Sequence, residues 1–189
     1  MIQTNYPVAA VAILLDRSCL PERFFPLIPY RDALLSGLPA AGCRTKNDAT
    51  ALPDDTLISL GLPDEAAVRL FQRFLALYDP DPRKFREIDK VTADPDERAA
   101  FRELYCLPGV KSVRAALYCR SGYRTLADFA DTTAESVIER TARTIAEDRL
   151  SCIVPLPKEV RTHIAVARAF LWTQDGVHTK STDYSISFQ

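Results

Sequence analysis

A chain of 189 residues, 47% hydrophobic and 26% charged, is long enough to bury a substantial core and has the composition of a folded globular protein. Its formal net charge of −1 excludes a strong overall positive field of the kind that concentrates nucleic acid at a protein surface. The five cysteines form no Cys-x-x-Cys pair, which predicts reduced thiols in a cytoplasmic protein rather than a disulfide framework.

The N-terminal segment, residues 1–26, combines an apolar run with a proline-rich connector. The run Val8–Leu15 is far shorter than the about 20 residues that a membrane span requires, and no basic residue precedes it as in a secretory signal. We predict a helix over 8–17, with a buried strand as the alternative for so continuous an apolar run. The aromatic residues of the connector, Phe24 among them, are predicted to be core residues, with a partner-binding surface as the alternative.

The chain then repeats itself with an offset of 80 residues, from Leu27 and Leu107 to Ile58 and Ile138. Most shared residues mark helix ends: a glycine suited to a left-handed position, then a Thr-x-x-Asp capping box. These residues are Gly42, Thr45 and Asp48 in the first copy and Gly122, Thr125 and Asp128 in the second. We therefore predict two related helical units, residues 27–79 and 104–173, with a linker and connecting helix at 80–103 and a tail at 174–189.

Apolar periodicity, capping residues and turn residues together predict an all-α protein. At the start of one helix we expect Thr132 to act as the cap, with Glu135 three residues later. The predicted helices span 8–17, 30–39, 46–51, 54–60, 64–78, 95–106, 111–120, 126–131, 134–147 and 157–173.

The most distinctive local motif is Leu107-Pro108-Gly109-Val110-Lys111, which lies between two predicted helices. It resembles a helix-hairpin-helix motif, and the layout from Gly42 to Leu171 is similar to a bacterial domain-of-unknown-function family built from such units. The first copy also resembles the C-terminal domain of the RNA polymerase α subunit. The resemblance implies an all-α fold of duplicated helix-hairpin-helix (SAM-like) units, in which backbone N–H groups of the turn hold a DNA phosphate without reading bases.

The predicted nucleic-acid-binding residues belong to this turn and to the basic positions that follow it. Backbone N–H groups of the turn contribute partial positive charge, and the arginine side chains add full charges. The set comprises Gly109, Val110, Lys111, Ser112, Arg114, Arg120 and Arg124. The alternative is an ordinary solvated helix surface, because basic residues outnumber acidic ones only slightly in this half of the chain.

The sequence gives no indication of an enzyme, a metal site or a cofactor. Its six glycines form no phosphate-binding loop, and neither of its two histidines has metal-ligand spacing; His163 is expected at the surface or in a packing gap. Two functions remain open, a non-enzymatic protein that binds the DNA backbone and a helical scaffold that binds another protein. The family resemblance favours the first, which we prefer. Lys111 in place of the family's second glycine, the acidic turn at Asp64 and Glu65 and the near-neutral charge favour the second. Val113 also stands where the family's turn has a basic residue.

Overall fold

The chain folds into helices that are joined by short turns. The computed structural model describes residues 5–17, 20–78, 88 and 92–174. These residues contain ten α-helices, one 3₁₀ helix and no β-strand, so the all-α prediction is confirmed. The 3₁₀ helix spans Glu22–Tyr30, and the α-helices are α1 (Val8–Leu14), α2 (Arg31–Ala40), α3 (Lys46–Thr50), α4 (Asp54–Ser59), α5 (Glu65–Ala76), α6 (Pro95–Leu104), α7 (Ser112–Arg120), α8 (Leu126–Ala130), α9 (Ala134–Glu147) and α10 (Pro157–Gln174).

Apart from α1, every α-helix begins and ends within two residues of its predicted position. Helix α1 ends early because the backbone at Leu15 leaves the helical conformation, with φ −82° and ψ 46°. At the start of α9 the hydroxyl of Thr133 accepts a hydrogen bond from the backbone N–H of Ser136 at 3.2 Å. The prediction that Thr132 caps this helix was therefore wrong, because the cap lies one residue later.

The 3₁₀ helix over Glu22–Tyr30 was not predicted. It contains Pro26 and Pro29, which lack the N–H donor that a regular α-helix needs at each interior position. Phe24 within it is only 2% exposed and its ring lies 6.0 Å from the ring of Phe74. The prediction that the aromatic residues here are core residues is confirmed for Phe24, while Phe25 and Tyr30 are half-buried and pack against the core.

The same local geometry occurs at two places in the chain, 80 residues apart. Gly42 and Gly122 both have positive φ, +82° and +87°. In the capping boxes that follow, the carboxylates of Asp48 and Asp128 accept from the backbone N–H groups of Arg44 and Arg124 at 2.9 and 2.7 Å. Helices α3 and α8 therefore start in the same way, while the next helices differ in length, with 6 residues in α4 and 14 in α9.

Helix α1 joins the two halves of the chain, because it contacts α2 and α3 as well as α10. Just before it, the ring of Tyr6 lies 5.1 Å from the rings of both Tyr78 and Phe170. The hydroxyl of Tyr6 donates to the carbonyl oxygen of Cys106. The buried apolar residues form one continuous cluster, so the N-terminal segment contributes to the core that both halves of the chain share.

The described residues also bear on the cysteines and on membrane insertion. Cys43, Cys106, Cys119 and Cys152 carry thiols and form no disulfide with one another. Among the described residues, no helix combines the length and the apolar character that a bilayer crossing requires. Residues 80–87 and 89–91 of the predicted linker, the tail beyond Gln174 and Cys19 lie outside the described residues.

Candidate nucleic-acid interface

The segment Leu107–Val110 forms a tight turn between α6 and α7. Leu107 and Val110 are buried and hold the two ends of the turn in the core, while Gly109 is exposed. The backbone N–H of Val110 donates to the carbonyl oxygen of Leu107 at 3.2 Å, and Gly109 has φ +76°. This hydrogen bond, the proline at the second position and the positive φ at the third identify a type II turn.

Helix α7 begins directly after this turn. Lys111 is its N-cap, with an exposed side chain and an extended backbone (φ −125°, ψ −179°), and its carbonyl oxygen accepts from Ala115 N–H at 2.8 Å. No side chain in the described part of the chain caps α7, and its first turn contains no acidic residue. By contrast, Asp64 caps α5 and Asp94 caps α6. The first N–H groups of α7, from Ser112 onward, thus combine with the helix dipole to favour an anion.

Arg114 points into the protein rather than toward this anion-favouring position. Its Nε lies 3.1 Å from Oε1 of Glu159, and its Nη1 donates to the carbonyl oxygen of Ile153 at 2.9 Å. Its side chain is only 18% exposed, and its guanidinium lies 6.0 Å from the centre of the Tyr118 ring. Arg114 therefore joins the start of α7 to the start of α10.

Arg120 and Arg124 lie at the other end of α7. With nine residues the helix is about 13 Å long, so Arg120 is separated from the Gly109 turn by roughly that distance. Arg124 follows four residues later, just before α8 begins. Arg120 forms an ion pair with Asp148 at 3.2 Å, and Arg124 is exposed. The structure thus brings Gly109, Val110, Lys111 and Ser112 together and places the two arginines elsewhere.

His163 contacts the turn, and the sequence analysis did not assign it to the site. It is only 1% exposed, with Nε2 2.9 Å from the carbonyl oxygen of Pro108 and Nδ1 3.0 Å from the hydroxyl of Tyr118. Burial lowers the pKa of His163 below its ordinary value of 6.5. Of the two predicted positions, surface or packing gap, the buried one is confirmed. The sequence feature that indicated burial of His163 was its position among the apolar residues of α10, between Val160 and Ile164.

Three large apolar side chains near Arg114 are exposed. Val113 is 66% exposed, Ile153 76% and Leu156 65%. Ile153 and Leu156 lie next to the ion pair, since Arg114 bonds the carbonyl oxygen of Ile153 and Glu159 accepts from the N–H of Leu156 at 3.3 Å. Exposed apolar side chains therefore lie beside the ion pair at the start of α7.

The first copy has no equivalent of this turn. The corresponding residues from Leu27 to Tyr30 belong to the 3₁₀ helix, and α2 follows without a break. The first turn of α2 also contains Asp32, which is 3.4 Å from Arg31. This acidic residue opposes the binding of an anion there.

The chemistry available elsewhere is limited. Among the residues that the structure describes, no cluster of three or more His, Cys, Asp or Glu side chains has the arrangement of a metal site. Burial raises the pKa of Cys106 to about 12 and that of Cys119 to about 11, so both thiols stay protonated at neutral pH. A protonated thiol is a poor nucleophile.

Comparisons of the chain with protein-family models, with curated proteins and with solved structures found no match.

Proposed function

We propose that this protein is non-enzymatic and binds the phosphate backbone of duplex DNA, without sequence specificity, through the turn and helix start at 107–112. In this proposal α6, the turn and α7 act as a helix-hairpin-helix unit. The observation that carries it is the start of α7, where an exposed glycine turn precedes a helix N-terminus with a lysine and no acidic residue. Backbone N–H groups in that position satisfy phosphate oxygens and carry no information about bases.

The residues proposed to contact the phosphate are fewer than the sequence analysis predicted. Gly109, Val110, Lys111 and Ser112 supply the turn, its N–H groups and one full positive charge. Arg114 supports them indirectly, because its guanidinium is already bound to Glu159. Arg120 would reach only a phosphate farther along the backbone, since α7 separates it from the turn. Arg124 is exposed and carries no assigned contact with this phosphate.

The proposal predicts weak, salt-sensitive binding. One lysine and a helix N-terminus neutralise few phosphates, and the net charge of −1 adds no general attraction. Sequence-independent affinities of this kind have dissociation constants of about 10⁻⁴ to 10⁻⁶ M at physiological salt. The thiols and the absence of a disulfide among the described cysteines suit a reducing compartment such as the cytoplasm, where DNA is accessible.

The test is fluorescence anisotropy of a labelled duplex at several salt concentrations, with charge-matched variants. Lys111→Glu places a negative charge at the proposed phosphate position. Arg143→Glu makes the same change in net charge on α9, at a side chain that is 60% exposed. We expect Lys111→Glu to abolish most of the binding and to lower the salt slope by about one, and Arg143→Glu to have little effect. Equal losses in both variants, or no binding by the unaltered protein at low salt, would contradict the proposal.

A second candidate function, docking of another protein, is favoured by the exposed side chains of Val113, Ile153 and Leu156. Contiguous exposed apolar patches mark protein-binding surfaces, and these three side chains are candidates for one. A photo-crosslinking amino acid at position 153, with a control at the exposed Arg69 of α5, tests this candidate in cells. Crosslinks to one protein from position 153 alone would support docking, and crosslinks to nucleic acid would support the first proposal.

A further inference from the structure

The buried ring of His163 has a defined proton arrangement. The carbonyl oxygen of Pro108, 2.9 Å from Nε2, can only accept, so Nε2 carries the proton of the neutral ring. Nδ1 is then an acceptor, and the hydroxyl of Tyr118, 3.0 Å away, donates to it. Tyr118 thereby stabilises the tautomer that donates to the turn.

The Pro108–Gly109 peptide determines which type of turn forms. Type I and type II turns have nearly the same ends but differ in this central peptide, which is rotated by roughly half a turn between them. With φ +76° at Gly109 the turn is type II. The C=O and N–H bonds of a trans peptide point in opposite directions. Because the carbonyl of Pro108 faces the buried His163, the N–H of Gly109 is directed away from the core.

We propose that His163 is a positioning residue, which selects the type II turn and so orients the N–H of Gly109 toward a bound phosphate. This inference rests on the proposed function of the turn. The ring acts through the Pro108 carbonyl and does not touch the phosphate itself. Through this carbonyl, His163 on α10 determines how the opposite face of the turn presents its N–H group to the phosphate.

The surroundings of the ring favour this role. Burial makes the neutral form of His163 the stable one. The charged groups that face it are Glu159 on its own helix and Arg114 on α7, and these two form an ion pair with each other. On α8 the ring of Phe129 meets the imidazole edge-on at 6.2 Å. The imidazole is thus held by packing as well as by its two hydrogen bonds.

Two substitutions separate positioning from plain packing. His163→Phe fills the space but donates no hydrogen bond to Pro108, whereas the side-chain amide of His163→Gln can still donate to that carbonyl. Two measurements compare both variants with the unaltered protein. The first is the ¹H–¹⁵N signal and the hydrogen-exchange rate of the Gly109 amide, and the second is the fluorescence anisotropy of a labelled duplex. We expect His163→Phe to shift the Gly109 signal and to weaken duplex binding about tenfold, the loss of one hydrogen bond to a charged group. We expect His163→Gln to keep the Gly109 signal close to that of the unaltered protein and to keep most of the duplex affinity.

An unchanged Gly109 signal in His163→Phe, or equal defects in the two variants, overturns the positioning role. If the unaltered protein binds no duplex, the proposed function fails, and the Gly109 comparison still decides the role of His163. If His163→Phe does not fold, ¹⁵N spectra of the ring in the unaltered protein decide instead. A proton on Nε2 supports the inference, and a proton on Nδ1 overturns it.

Discussion

The guanidinium of Arg114 lies 3.1 Å from the carboxylate of Glu159, and this ion pair fastens the start of α7 to the start of α10. Arg114 also donates to the carbonyl oxygen of Ile153, and Glu159 accepts from the backbone N–H of Leu156. The two charges therefore restrain both the candidate phosphate-binding turn and the helix that carries His163. Arg114, which the sequence analysis placed among the DNA-binding residues, thus has Glu159 and Ile153 as the observed partners of its guanidinium.

Replacing Arg114 by alanine is expected to lower the free energy of unfolding by about 2 kcal/mol, because Glu159 loses its charge partner in a site where both side chains are largely shielded. Arg143→Ala is the matched control. Its partner Glu139 lies on the same helix and both side chains are more than half exposed, so a loss below about 0.5 kcal/mol is expected. Urea unfolding followed by circular dichroism measures both, and similar losses would show that the Arg114 pair is no stronger than a surface pair.

Replacing Gly109 by alanine is expected to destabilise the protein by about 1–2 kcal/mol, because a residue with a Cβ is strained at φ +76°. No atom beyond Gly109 and its two chain neighbours lies within 4 Å of the position that the new Cβ would take, so conformational strain is the main cost. Gly61→Ala is expected to cost more. There φ is +114° and the new Cβ would meet the Cβ of Ala33 at 2.8 Å. The melting temperatures of the two variants in thermal unfolding rank their stabilities. A lower melting temperature for Gly109→Ala than for Gly61→Ala would contradict the assignment of strain.

The helix boundaries could be predicted because the signals that set them are local. Thr45 and Thr125 cap α3 and α8 with an aspartate three residues later, as the sequence spacing indicated. Where a signal was ambiguous the prediction shifted, as with two adjacent threonines before α9, of which Thr133 is the cap. The 3₁₀ helix was missed because its prolines are ordinarily signs of a loop.

The candidate site was predicted only in part, and the missing part depends on contacts between distant residues. The turn at Gly109 was identified because Leu-Pro-Gly-Val is a local motif. The bond from His163 to Pro108 spans 55 residues, and that from Arg114 to Glu159 spans 45. No periodicity or spacing rule pairs residues so far apart, so the buried histidine and the role of Arg114 required the tertiary structure.

Replacing Tyr6 by phenylalanine is expected to cost about 1–3 kcal/mol, because the carbonyl oxygen of Cys106 loses a donor in a buried position. The ring contacts with Tyr78 and Phe170 are kept, so the effect reports the hydrogen bond alone. Tyr123→Phe is the control, since its hydroxyl is 3.4 Å from that of Ser136, a long and weak contact. Equal stabilities of the two variants in urea would show that the Tyr6 hydroxyl contributes little to joining the two halves.

The stability of the protein is expected to fall as the pH drops below 6.5, because burial lowers the pKa of His163 in the folded state. Above this pH the histidine is neutral in both the folded and the unfolded chain, and it adds no pH dependence. Below it the unfolded chain takes up a proton that the folded state does not bind, so the free energy of unfolding decreases. For one such group the decrease is at most about 1.4 kcal/mol per pH unit, until the pH reaches the lower pKa of the folded state.

His163→Gln isolates this contribution, because glutamine does not titrate and the other ionisable groups remain in both proteins. Urea unfolding between about pH 7 and pH 5 should give a steeper loss of stability for the unaltered protein than for the variant. The difference arises because burial in the folded state disfavours the charged imidazole, despite the nearby carboxylate of Glu159. If the two proteins have parallel stability curves over this range, His163 titrates equally in the folded and unfolded chains. The ring would then be accessible to water, and the turn would lack the buried donor that holds the Pro108 carbonyl.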